Sequence, residues 1–173
     1  MPDLHFTLMA FCFAIRDRVR RPADVLTRLP LMPGQVVLDF GCGPGSYSVA
    51  AARLVGPEGW VYAVDRNPSA IRCVTQKAAR RGPPNLTGIC TDCDTRLDDS
   101  SVDVVLLYDT LHELAGTAKV VKELHRVLKF DGLLSVGDHH FTEQEIVDEL
   151  TREGLFAATG RNGRTISFRK CER

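Results

Sequence analysis

VVLDFGCGPGSYS, residues 36–48, is the stretch around which the rest of the chain is arranged. An apolar run from Val36 to Leu38 ends in Asp39, glycines follow at alternate positions (Gly41, Gly43, Gly45), and Ser46 opens a helical pattern through Tyr47, Ala50, Ala51 and Leu54. An apolar, β-branched run without alternation reads as a strand covered on both faces. Glycines permit positive φ in a tight turn and let a ligand approach the backbone closely. The helix behind the turn presents its unpaired N–H groups to whatever rests there.

Outward from this unit the strand-then-helix pattern recurs. Trp60 to Val64 reads as a second strand stopping at Asp65, and Asn67-Pro68-Ser69 supplies an N-cap with proline at the first helical position. That helix runs to about Arg81, before Gly82-Pro83-Pro84, and a third strand from Leu86 to Cys90 ends in Thr91-Asp92-Cys93. Residues 94–101 show no helical pattern. Val102 to Leu107 suits the middle of a sheet, followed by Tyr108-Asp109 and a short segment with His112 and Glu113. Val120, Val121, Leu124, Val127 and Leu128 repeat at helical spacing until Asp131-Gly132, and Leu133 to Val136 forms a fifth strand leading into Gly137-Asp138-His139-His140. Thr142 and Glu145 form a capping-box pattern for a helix ending at Gly154. Phe156 to Thr159 and Thr165 to Phe168 flank Asn162-Gly163, a strong hairpin signal. The expectation is a doubly wound, Rossmann-like α/β sheet of seven strands, mostly parallel, with an antiparallel C-terminal hairpin strand at its edge.

The 173 residues are expected to form a single domain over 1–173: an N-terminal helical or lid segment over 1–33 and an α/β core over 34–173. Ala23 to Leu29 reads as a short helix closed by Pro30 and Pro33-Gly34. The apolar run Phe6 to Ile15 either packs on the domain, covers the ligand site or makes a homodimer surface. It has Asp3 ahead of it and Arg16, Arg18, Arg20 and Arg21 behind it, so it is not expected to act as a secretory leader, and at about ten residues it is too short to span a bilayer. Acidic and basic residues balance at 22 each, which gives no basis for electrostatic capture of nucleic acid or anionic membrane. Six scattered cysteines fit reduced thiols and a cytoplasmic location.

In an open α/β sheet, ligands bind beyond the C-terminal ends of the strands. Asp39 and the glycines, Asp65, Asp92-Cys93, Tyr108-Asp109 and Asp138-His139-His140 all fall at such ends. Asp65 lies 20 residues beyond Gly45, where a carboxylate accepts both hydroxyls of a ribose. The dinucleotide fingerprint would put its third glycine at 46, but that residue is Ser46, and Asp39 would set negative charge beside a pyrophosphate. A nucleoside with a cationic or zwitterionic end suits that carboxylate better.

With these residues, with the segment LLYDTLHEL (106–114) and with the terminal hairpin, the chain from about Pro33 onward resembles class I S-adenosylmethionine-dependent methyltransferases. It is most similar to the small-molecule group that includes ubiquinone- and menaquinone-biosynthesis enzymes, the methyltransferase type 11 group. The resemblance implies that Gly41, Cys42, Gly43 and Gly45 lie against the methionine part of the cofactor, with Asp39 helping to hold that end. It further implies that Asp65 takes the ribose hydroxyls, Arg66 borders the adenine, Asp92 meets the adenine amino group and the Cys93 backbone meets the ring. The backbone around Tyr108 then faces the amino-acid end. Transfer to a small-molecule acceptor would leave S-adenosylhomocysteine as product. A non-catalytic cofactor-binding partner or regulatory subunit remains an alternative, and an NAD-dependent oxidoreductase a third.

The donor of such a reaction is already activated, so much of the acceleration comes from alignment, worth up to about 7–11 kcal/mol. A general base is needed only when the acceptor loses a proton. His112, His139 and His140, with Asp109 and Asp138, are the candidates to orient or deprotonate it. Cys90 and Cys93 have C-x-x-C spacing, but one such pair is a weak zinc pattern, and no resident metal is expected.

Overall fold

The computed structural model describes residues 21–171. The apolar run 6–15, with its lid and dimer readings, lies outside the described residues. Among the described residues seven strands and five α-helices follow in the order α1 (Pro22–Leu26), β1 (Val36–Phe40), α2 (Ser46–Val55), β2 (Trp60–Asp65), α3 (Pro68–Arg81), β3 (Leu86–Cys90), β4 (Val102–Tyr108), α4 (Thr117–Val127), β5 (Leu128–Gly137), α5 (Glu143–Thr151), β6 (Phe156–Asn162) and β7 (Thr165–Lys170), with a single 3-10 turn at Leu111–Glu113. They form one sheet ordered β3-β2-β1-β4-β5-β7-β6. The first five strands run parallel, and β7 is antiparallel to both β5 and β6. The antiparallel strand thus sits one place in from the edge expected for it, with β6 outermost.

Alternation along the central strands divides the core into two layers. Val105 and Leu107 of β4 and Leu38 and Phe40 of β1 meet α4 and α5 through Val120, Leu124, Ile146 and Leu150. Val104, Leu106 and Tyr108 of β4 and Val37 of β1 face the other way, onto α2 and onto Leu26 and Leu29. Period-two alternation within runs that are apolar on both faces is what a doubly covered parallel sheet requires. Asp39 shares the parity of Val37, so its carboxyl points toward α2.

Local signals place most boundaries. Asn67 accepts the Ser69 N–H at 2.8 Å, with Pro68 in the first turn of α3. Thr142 and Glu145 complete a reciprocal capping box on α5. Two boundaries differ from expectation. The helix expected over 23–29 is the five-residue α1, which passes into tight turns that still bury Leu29. Helix α4 stops at Val127 rather than at Asp131-Gly132, because Leu128 is buried and already pairs with Val102; residues 129–132 form an irregularity before Leu133 pairs with Val104. At the hairpin the two loop residues are Gly163 and Arg164, since Asn162 still pairs with Thr165. Only Gly163 has positive φ (64°), as in a turn with glycine at its first central position, so the glycine and not the Asn-Gly pair sets the turn. Among the described residues no helix is long and apolar enough to cross a membrane.

Candidate active site

A cavity of about 540 Å³ opens beyond the C-terminal ends of β1 to β4, within the usual range for small-molecule sites. Of the expected cofactor residues, Asp39, Gly41, Cys42, Gly43, Asp65, Arg66, Asp92, Cys93 and Tyr108 line it. Gly45 does not.

The three glycines do different things. Gly41 (φ 77°) lies so close to Thr110 that a Cβ would overlap that side chain. Gly45 (φ 81°) is the N-cap of α2, and a Cβ there would overlap Val74 of α3. It lets two helices approach and touches no part of the cavity. Gly43 (φ 50°) turns its N–H onto Asp65 Oδ2 at 2.9 Å. The N–H groups of Gly41 and Cys42 both reach the Val64 carbonyl at 2.8 Å, fixing the turn over the end of β2.

The two carboxylates are set differently. Asp65 accepts from Gly43 N–H through Oδ2 and from Asn67 N–H through Oδ1 at 2.8 Å, so two backbone donors fix its plane while each oxygen keeps acceptor capacity toward the cavity. Asp39 is 2% exposed and accepts from Ser48 Oγ of α2. Burial lifts its pKa from 3.8 to about 6, the Ser48 bond opposing this and the Asp65 charge adding to it. Among the described residues no cation pairs with Asp39. A nucleoside with a positively charged end fits these two acceptors: a planar carboxylate with capacity for vicinal hydroxyls, and a buried one with no counter-charge among the described residues.

On the far side of the cavity Arg66 reaches across to Glu113, Nη2 to Oε2 at 3.0 Å. Asp92 is exposed, whereas Cys93 is buried and its N–H, expected at an adenine ring, is turned to Thr91 Oγ1 at 3.3 Å. Burial raises the thiol pKa of both Cys42 and Cys93 and keeps them neutral. Cys90 is exposed against the Arg66 carbonyl while Cys93 packs in the core, and the described cysteines are all free.

Beside Tyr108 the histidines gather. Tyr108 Oη bonds Ser135 Oγ at 2.8 Å, its ring meets Tyr47 edge-on at 4.8 Å, and burial raises its pKa. Asp109 follows with φ 49°, a conformation costly for a residue other than glycine, held by its N–H bond to the Gly137 carbonyl at 2.7 Å. His139 Nδ1 lies 2.9 Å from Asp109 Oδ1, and His112 Nδ1 lies 2.8 Å from Asp138 Oδ2. Burial acts to raise the Asp138 pKa, but the bonds from His112 and His140 outweigh it and hold the carboxyl below its ordinary range. The His140 ring stacks within 4.0 Å of both other imidazoles.

A second cavity, of about 1050 Å³, shares Tyr47, Tyr108 and Asp109 with the first as lining residues. His139 and Asp138 line it; His112 and His140 line neither cavity. Ligand atoms of Asp109, Asp138 and His139 fall within 4.8 Å of one another, close enough to share a cation, though His112 and His139 already occupy these carboxylates. Sequence reasoning missed Thr110, Lys119 and Tyr47 as lining residues. Tyr47 was accessible, one position into the helix behind the glycine turn. Thr110 and Lys119 depend on how the segment after β4 folds over the cavity.

A family model described as a methyltransferase domain matches residues 31–165. Over 130 residues the chain is 31% identical to a demethylmenaquinone methyltransferase of Geobacillus stearothermophilus, covering 75% of this chain and 56% of that protein. It is 30% identical over 110 residues to a 2-phytyl-1,4-naphtoquinone methyltransferase of Nostoc sp., covering 62% and 48%. The chain therefore spans about half the length of these curated relatives. A SAM-dependent methyltransferase from Aquifex aeolicus superposes with a TM-score of 0.76 at 24% identity, covering 86% of this chain and 87% of that one.

Proposed function

The chain belongs to the methyltransferase domain family, and from that premise we propose that it transfers the methyl group of S-adenosylmethionine to a small molecule seated beside Tyr108, Asp109 and His139. The observation that carries this reading is the wall that the two cavities share. Tyr47, Tyr108 and Asp109 line both, which sets a ligand in one and a ligand in the other against the same three residues.

S-adenosylmethionine supplies a methyl carbon on a sulfonium, an activated donor whose leaving group departs neutral. Asp65, already planar against Gly43 and Asn67, takes the ribose hydroxyls. Asp39 gives the cationic end a counter-charge on the α2 side. Arg66, tied to Glu113, and exposed Asp92 border the adenine. Gly41, Cys42 and Gly43 supply the backbone wall, and Gly45 acts by packing. On the acceptor side these groups need only orient and, where the acceptor loses a proton, receive it.

His139 is the group we assign to that proton. With Nδ1–H donated to Asp109, its Nε2 lone pair is left to accept. His112 is braced by Asp138, and His140 packs between the two rings. The test is transfer of labelled methyl from S-adenosylmethionine to a panel of phenolic, amine and quinol acceptors. His139→Ala is expected to lower kcat by about 10²–10⁴, with His112→Ala and His140→Ala losing markedly less. Full turnover by His139→Ala would remove the base assignment. The five free cysteines described support a reducing, cytoplasmic setting, and the balanced charge supports small molecules rather than nucleic acid as partners.

A further inference from the structure

The charged groups lining the second cavity fall into two sets. Beside Tyr108 the carboxylates are engaged, Asp109 by His139 and Asp138 by His112. Across from them, α1 with its flanks and the β6–β7 hairpin contribute Arg21, Arg28, Arg161 and Arg164, with Asp24 and, at the start of α5, Glu143 as the carboxylates among them. Arg161 is spoken for, pairing with Glu143 at 2.8 Å and donating to the Gly163 carbonyl.

Arg28 is different. Its Nη1 lies against the hairpin turn, only 2.8 Å from where a Cβ on Gly163 would stand, so glycine there leaves room for the guanidinium beside Arg164. Among the described residues no carboxylate forms an ion pair with Arg28 or Arg164. The turn that carries Arg164 also reaches the reacting wall, since its carbonyl would stand 3.4 Å from a Cβ on Gly137, and Tyr108 3.7 Å from the same point. Guanidinium forks bind carboxylate and phosphate in bidentate fashion. The same cavity is lined by apolar Val25, Phe141 and Ile146 and by polar Thr142, Asn162 and Thr165.

We propose that the methyl acceptor is anionic: Arg28 and Arg164 hold a carboxylate or phosphate of a small molecule whose apolar body lies on Val25, Phe141 and Ile146. This rests on the methyltransferase reading and narrows its acceptor class. The test titrates protein saturated with S-adenosylhomocysteine with three probes: 4-hydroxybenzoate, 4-hydroxyphenyl phosphate and the neutral methyl 4-hydroxybenzoate.

At least one anionic probe is expected to bind about tenfold or more tighter than the ester. That advantage should vanish in the Arg28→Gln/Arg164→Gln variant and shrink as salt rises in the unaltered protein, while affinity for S-adenosylhomocysteine stays unchanged. Whichever anion binds tighter names the head group. Equal or weaker binding of both anions, their failure to bind at about 10 mM, or an advantage that survives the double substitution or high salt would overturn the proposal. Failure of S-adenosylhomocysteine itself to bind would instead overturn the cofactor reading, so the two failures are distinguishable.

Discussion

Asp39 and Asp65 lie at the C-terminal ends of neighbouring strands, one residue short of the last in β1 and the last in β2, and line one cavity, yet their surroundings give them different chemistry. Asp65 engages its oxygens with two backbone N–H groups and stays half-buried. Asp39 has lost its water and gained one hydroxyl, so its pKa rises to about 6. A carboxyl raised in the folded state stabilises the ligand-free protein fully below its ordinary value, and that contribution is lost as pH rises through about 6. Compared with Asp39→Asn, the ligand-free protein should therefore lose on the order of 2–3 kcal/mol of relative stability between about pH 4 and pH 7, measured by denaturant unfolding at each pH. A cation placed beside the carboxylate draws the pKa down again. Binding of S-adenosylmethionine below about pH 6 should accordingly release a proton, seen as a buffer-dependent heat that Asp39→Asn abolishes. A difference that does not change with pH would mean that Asp39 is not the group titrating.

The glycine turn was legible as an element, whereas the division of labour within it was not. Spacing alone gives all three glycines one role, the close approach of a ligand. In the fold Gly43 orients Asp65, Gly41 makes room for Thr110, and Gly45 makes room for Val74 of the next helix. A long-range contact of that kind leaves no trace in the local pattern. Gly45→Ala brings both positive φ and a clash with Val74, so a loss of about 2–4 kcal/mol is expected. Its affinity for S-adenosylhomocysteine should fall little under conditions where it remains folded. A large affinity loss without a stability loss would return Gly45 to the ligand wall. The terminal hairpin shows the same division: its existence was readable from Asn162-Gly163, but its place beside β5 depends on sheet pairing that sequence order does not specify.

Across the whole molecule, parallel pairing gathers five strand ends on one side, and this much followed from the alternation of apolar runs with polar terminations. The residues that divide that side into two cavities were harder to read. Tyr47 and Tyr108 meet from different elements, and His139 is separated from His112 only by which of them faces open space. The arginines opposite them come from opposite ends of the described chain, Arg28 just beyond α1 and Arg164 in the hairpin turn, so only the fold brings them together. If the cavity lined by Asp39, Gly43 and Asp65 holds the adenosyl cofactor, calorimetric titration of the purified protein with S-adenosylhomocysteine and, separately, NAD will show it. One site per chain is expected for S-adenosylhomocysteine, weakened about tenfold or more by Asp65→Ala, with no heat from NAD. A folded protein that binds NAD, or that gives no heat with S-adenosylhomocysteine, would contradict it.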